Sequence, residues 1–137
     1  MEIQTQKPSL SELEGVLKTM PQAEIMMTHT FGGGVYVRER CAKADTLIVG
    51  KRHRHETISI LLKGILGVYN ELGEETEIHE APKIWVSPAG SKRMTYSHTD
   101  TILVTVHPTK ETDLEKIETE FIIPENEYIE NKLRRIS

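Results

Sequence analysis

His53 and His55 stand two apart in the stretch Gly50-Lys-Arg-His53-Arg-His55-Glu56-Thr-Ile-Ser-Ile-Leu-Leu-Lys-Gly64. Residues two apart on an extended strand point to the same side, so this spacing aims two imidazoles at one cavity. Continued alternation puts His53, His55, Thr57 and Ser59 on a polar face and Ile58, Ile60 and Leu62 on an apolar one. A neutral imidazole can ligate a metal, whereas a protonated one can contact an anion. Strand histidines satisfied within a polar lumen, or a surface basic run, are the plainer alternatives.

A second group lies at Trp85-Val-Ser-Pro88-Ala-Gly90-Ser-Lys92-Arg93-Met-Thr-Tyr96. Here a strand enters a Pro-x-Gly turn and a second strand leaves it. Arg93, Thr95 and Ser97 share one side, so Arg93 points inward with Lys92 and Tyr96 outward, or the reverse. A guanidinium fork makes bidentate, charge-assisted bonds to phosphate or carboxylate and is repelled by a metal cation. His107 shares the polar side of the last strand with Thr105, and His29 precedes the Gly32-Gly33-Gly34 loop, where glycine lets backbone approach a ligand closely. The candidate ligand contacts are therefore His53, His55, Thr57, Ser59, Lys92, Arg93, His107 and His29. His79 and His98 read as surface residues, Tyr36 and Tyr69 as core, and Cys41 as a passive thiol.

The elements that must position these groups are mostly strands. Ser9-Leu-Ser-Glu12 offers a helix-capping box before Leu10, Leu13, Val16 and Leu17, which predicts one short amphipathic helix ending before Pro21. Short β-rich runs punctuated by turn residues follow at 25 to 30, 34 to 40, 46 to 49, 54 to 62, 65 to 70, 76 to 79, 83 to 87, 92 to 97 and 101 to 107. Such a series makes a sandwich or barrel. Leu114, Ile117 and Phe121 mark one face of an acidic helix packed on the barrel or on a partner, and Pro124 to Ser137 is a charged tail able to cross to a neighbouring subunit. One domain results, divided as residues 1–23 (leader and helix), 24–108 (barrel) and 109–137 (helix and tail).

The two histidine- and arginine-bearing groups resemble the paired motifs of the cupin superfamily: Gly, five residues, His-x-His, three or four residues, Glu, six residues, Gly, and then Pro-x-Gly-x-x-His. The resemblance implies an all-β fold, a cupin-type double-stranded β-helix (jelly-roll barrel) with a short N-terminal helix and an acidic C-terminal helix. Counting back from Gly64 puts the glutamate ligand at Thr57 and the histidines at Lys51 and His53, counting forward from His53 and His55 puts the glutamate at Ser59 or Ile60, and the histidine of the second motif falls at Arg93. The usual four-ligand metal site is thus missing. More narrowly, blocks from Thr28-His29-Thr through Asp100-Thr-Ile-Leu-Val-Thr-Val-His107 to the Thr112-Asp-Leu-Glu tail are similar to small single-domain cupins of tailed phages and prophages, which implies a viral origin.

Seventeen basic residues against 21 acidic ones, a net charge of -4, disfavour extended nucleic-acid or anionic-membrane binding. A lone cysteine excludes an intramolecular disulfide and fits a reducing cytoplasm, the host's if the protein is viral. No apolar run nears the roughly 20 residues of a membrane span, and no signal peptide is visible. A small core makes a homo-oligomer, most simply a homodimer, the default expectation.

Two functions remain open. One is a non-catalytic, cofactor-free barrel that captures a small anionic ligand, phosphorylated or nucleotide-derived; in a phage it would sequester a host defence signal. The other is an isomerase or oxygenase using a divalent transition metal held by His53 and His55, with His107 or His29 completing the set. The missing carboxylate and Arg93 favour capture.

Overall fold

The computed structural model describes residues 10–124 and residue 127. The capping serine Ser9, the leader and the charged tail lie outside the described residues, Pro124 and Glu127 excepted. Along the chain come α1 (Leu10–Leu17), β1 (Met26–Gly32), β2 (Val35–Ala42), β3 (Thr46–Val49), β4 (Thr57–Lys63), β5 (Ile65–Tyr69), β6 (Glu75–Glu80), β7 (Lys83–Ser87), β8 (Met94–Ser97), β9 (Thr101–Pro108) and α2 (Leu114–Phe121). All nine expected strands are present, with shifts of a few residues at some ends. The strands form two antiparallel sheets, β1-β2-β9-β4-β7 and β3-β8-β5-β6, which face each other as a jelly roll.

Register decides which side chains enter the space between the sheets. Tyr36 lies opposite His107, Arg38 opposite Thr105 and Arg40 opposite Leu103 across β2 and β9. Thr105 and Leu103 in turn pair with Ser59 and Leu61 of β4, and Thr57 and Ser59 pair with Ser87 and Trp85 of β7. Successive rows therefore grade from apolar to polar. At one end Leu61, Leu66, Val68 and Leu103 form a closed core against Ala81 and Trp85. Toward the other end the same strands present hydroxyls, guanidinium groups and imidazoles.

Gly64 turns the chain from the five-stranded sheet into the four-stranded one at φ 91°, a left-handed conformation that glycine adopts without penalty. A β-carbon there would also run into the backbone of Asp100. The helices close the fold at its polar end. Asp113 caps α2 by accepting from the backbone N–H groups of Glu115 and Lys116, and Ile117 and Phe121 pack on Tyr36.

The expected strand from 54 to 62 starts late, at Thr57. Its first residues are drawn off by the chain leaving α2: Arg54 N–H donates to the Phe121 carbonyl at 2.7 Å, Ile123 N–H donates to the Arg52 carbonyl at 2.8 Å, and His53 bridges Ile122. A bend at Arg54 and His55 follows. Backbone groups need partners, and here the partner is a distant segment that local sequence cannot reveal.

His79 also departs from expectation. It is buried rather than superficial, stacks on Trp85 with ring centroids 3.9 Å apart, and lies 2.9 Å from Glu77 Oε2 through Nε2.

Candidate functional site

The bend at His55 breaks the strand geometry on which a shared histidine side depended. His53 lines the space between the sheets, whereas His55 is exposed and meets only the edge of Phe121 among ring contacts. The two imidazoles therefore do not converge. Lys92 is likewise not brought to the lumen. It is buried beneath α1, with its Nζ 2.6 Å from Glu14 Oε2, whereas Arg93 and Thr95 line the lumen.

His53, Thr57, Ser59 and Arg93 do come together, in an inner chamber shared with Arg40, Ser87, Thr95 and Thr105. This chamber has two lobes of about 120 and 190 Å³, and Arg38 lines the second. The Ser59 and Ser87 hydroxyls are 3.2 Å apart, and Arg40 Nη2 donates to Thr95 Oγ1 at 3.0 Å. Arg40 Nε is buried without a partner. Among the described residues no Asp or Glu lines either lobe.

An outer chamber of about 260 Å³ adjoins this one beneath α2, and Arg38, Lys51, His53 and Ile122 line both. His29 and His107, the remaining candidates, are here. The rings of His29, Tyr36, His107 and His53 form an offset ladder, with neighbouring centroids 5.8, 5.5 and 5.9 Å apart and planes within 25° of parallel. Tyr36 anchors His29, its hydroxyl 2.6 Å from His29 Nδ1. At the rim Lys51 pairs with Glu118 of α2.

The electrostatics are those of a cationic cavity. Burial and the neighbouring Arg38 push the Arg40 guanidinium down to about 10, and burial lowers Arg38 as well, opposed by Tyr36 and Glu118. Both stay charged at neutral pH. Burial, then Arg38, lowers His53; burial, then His53, then Arg38, pushes His107 down to about 4. Both shifts favour the neutral imidazole at pH 7.

That depression carries a sign. An unfolded histidine takes up its proton near about 6.5, whereas folded His107 resists until about 4. Between those values the unfolded chain binds more protons, so the stability contribution is complete above pH 6.5 and is lost as pH falls toward 4. We expect the urea midpoint to drop over this window by an amount equivalent to roughly 2 to 3 kcal/mol. His107→Gln should flatten that part of the profile; an unchanged slope in this variant would refute the assignment.

Sequence reasoning missed Arg38 and Arg40. Their signal was the alternation Tyr36-x-Arg38-x-Arg40 against Val35-x-Val37, a polar side that reads as solvent-facing until the pairing with Thr105 and His107 is known.

No family model matches the sequence, and no curated protein matches it. Solved structures match in fold. A cupin superfamily protein of Desulfitobacterium hafniense superposes with a TM-score of 0.53 at 6% identity, over 66% of this chain and 82% of that one. An acetylacetone dioxygenase of Acinetobacter johnsonii gives 0.54 at 14% identity, over 64% and 61%. KdgF of a Halomonas species gives 0.52 at 15% identity, over 66% and 83%. The chain has the cupin jelly-roll fold, and at such identities the likeness extends to fold alone.

The fold makes a metal the natural question, and the residues present do not fit one. The motif register assigns the ligand positions to Lys51, His53, Thr57 and Arg93, and all four line the inner chamber. The Arg93 guanidinium would repel a dication and the Thr57 hydroxyl stands where a carboxylate would be, while the Lys51 ammonium is drawn out to Glu118 and offers no ligand. Among the described residues no group of three or more His, Cys, Asp and Glu is arranged to hold a metal ion. His55 is outside the lumen, and His29 is separated from His107 by the Tyr36 ring.

Proposed function

We propose that this protein is a non-catalytic cupin-fold receptor that captures a small anionic molecule, phosphorylated or nucleotide-derived, in its lumen. One observation carries the proposal: Arg38, Arg40 and Arg93 converge on the inner chamber, whose two lobes no carboxylate lines among the described residues, and Arg40 Nε is buried and unpartnered. Buried charge is costly unless it is paired, so a cationic lumen of this kind is completed by an anion from outside. Hydroxyls of Thr57, Ser59, Ser87 and Thr105 offer further hydrogen bonds without adding charge. A few convergent polar groups in a shaped cavity suffice for binding.

His55 and Lys92 have no part in this proposal. In a phage-encoded protein, capture of this kind would sequester a host defence signal; the resemblance noted in the sequence is the support for that use. Self-association remains part of the proposal as well, since Ile58, Ile84 and Val86 leave apolar surface on the outer side of the larger sheet.

The test is thermal stabilisation by inorganic phosphate and by a panel of phosphorylated compounds, with and without chelator. A bound ligand at about 100 times its dissociation constant adds roughly 2.7 kcal/mol. We expect stabilisation that chelator leaves unchanged. No shift with any anion would refute capture, and a shift abolished by chelator and restored by one divalent metal would establish the metal-dependent alternative.

A further inference from the structure

The outer chamber differs in chemistry from the inner one. Tyr36, His107 and Phe121 are buried rings, Ile117 and Leu114 add aliphatic surface, and the only acidic side chain lining it among the described residues, Glu118, pairs with Lys51 at the rim. Arg38 and Lys51 line it too, but Lys51 is paired with Glu118 and Arg38 is shared with the inner chamber, so the surface that belongs to the outer chamber alone is mainly ring and aliphatic. A flat ring gains much, because aromatic and aliphatic walls stack on it and displace water.

We propose that the outer chamber is a ring-binding subsite, and that the captured ligand is a phosphate ester of a planar heterocycle, lying with its ring beneath α2 and its phosphate among Arg38, Arg40 and Arg93. The inference rests on the anion-capture proposal and specifies its ligand class. Arg38 and His53 line both chambers, so a ligand spanning them keeps its two ends within one continuous site. The volumes agree with this division: about 260 Å³ on the ring side, against lobes of about 120 and 190 Å³ on the cationic side.

A heterocycle fits better than a plain phenyl group. His107 and His53 are neutral near pH 7, and the Nδ1 of each is buried without a partner, whereas His107 Nε2 is 3.1 Å from Thr105 Oγ1. Ring nitrogens and their N–H groups supply acceptors and donors that can complement such imidazoles, and a hydrocarbon ring supplies none.

Calorimetric titration of the full chain with nucleoside 5′-monophosphates, ribose 5-phosphate and inorganic phosphate tests the assignment. We expect at least one monophosphate to bind roughly 10- to 100-fold more tightly than ribose 5-phosphate, within the range that stacking on aromatic side chains provides. Leu114→Trp, at a partly exposed position lining the outer chamber, should fill it. This variant should erase the preference while changing ribose 5-phosphate affinity by less than about threefold. Equal affinities for the monophosphates and ribose 5-phosphate, or a preference that survives Leu114→Trp, would overturn the ring subsite and leave anion capture standing. Absence of binding by all three probe types would overturn both.

Discussion

Arg40→Met is expected to weaken anion capture by about 100-fold or more while making the ligand-free protein more stable. Loss of one partner from a buried charge pair costs about 2 to 5 kcal/mol, and a single charge-assisted hydrogen bond about 1.5 to 3. Arg40 sits at the centre of the inner chamber, so the larger range applies when a phosphate is bound. Without a ligand the balance reverses. The guanidinium is desolvated, is repelled by Arg38, and among the described residues has one side-chain bond, to the Thr95 hydroxyl, to offset that cost. An apolar side chain of similar length removes the penalty, a gain on the order of 1 kcal/mol. Denaturation of the empty variant and calorimetry with phosphate check the two signs separately. Arg40→Lys should fall between, since it keeps the charge and loses the fork. Unchanged affinity in Arg40→Met would remove the anchor on which capture depends.

Leu61→Ala should cost about 2 to 5 kcal/mol of unfolding free energy. Leu61 is fully buried, on the inward side of β4 and opposite Leu103, and it forms the floor beneath the hydroxyl rows. Truncation leaves a void between two sheets whose hydrogen bonds prevent them from closing around it. For a small domain that loss is a large share of total stability. Chemical denaturation monitored by Trp85, which packs on this cluster, would report it. A change below about 1 kcal/mol would mean that the sheets relax into the void far more than regular pairing permits.

Much of this architecture is legible in the sequence, because alternation and turn chemistry are local. Nine strands follow from runs such as Thr101-Ile-Leu-Val-Thr-Val-His107 and from breakers such as Asn70-Glu-Leu-Gly73, whose backbone closes with Gly73 N–H donating to the Asn70 carbonyl. Alternation also assigns Thr57 and Ser59 to the inner chamber and leaves Arg93 one of two sides. What alternation cannot say is which polar side meets another polar side. Arg38 and Arg40 look like a solvated strand surface until β9 is placed beside β2. His55 fails for the same reason: the bend that carries it follows the pairing of His53 with Ile122, nearly 70 residues away. Lys92 fails because a helix about 80 residues earlier in the chain supplies Glu14 to receive it. In each case the missing information is tertiary.

The pairing of β2 with β9, and of His53 with Ile122, also bears on when the lumen comes into being during synthesis. Tyr36 meets His107, and the segment carrying His53 is held by residues after α2, so the walls join stretches about 70 residues apart. Contacts of such separation form late, because a long loop must close before any of them is rewarded. A nascent chain that has extruded β2 carries Arg38 and Arg40 on a strand with neither cavity nor cap. The lumen therefore closes with the last quarter of the described chain rather than accumulating strand by strand.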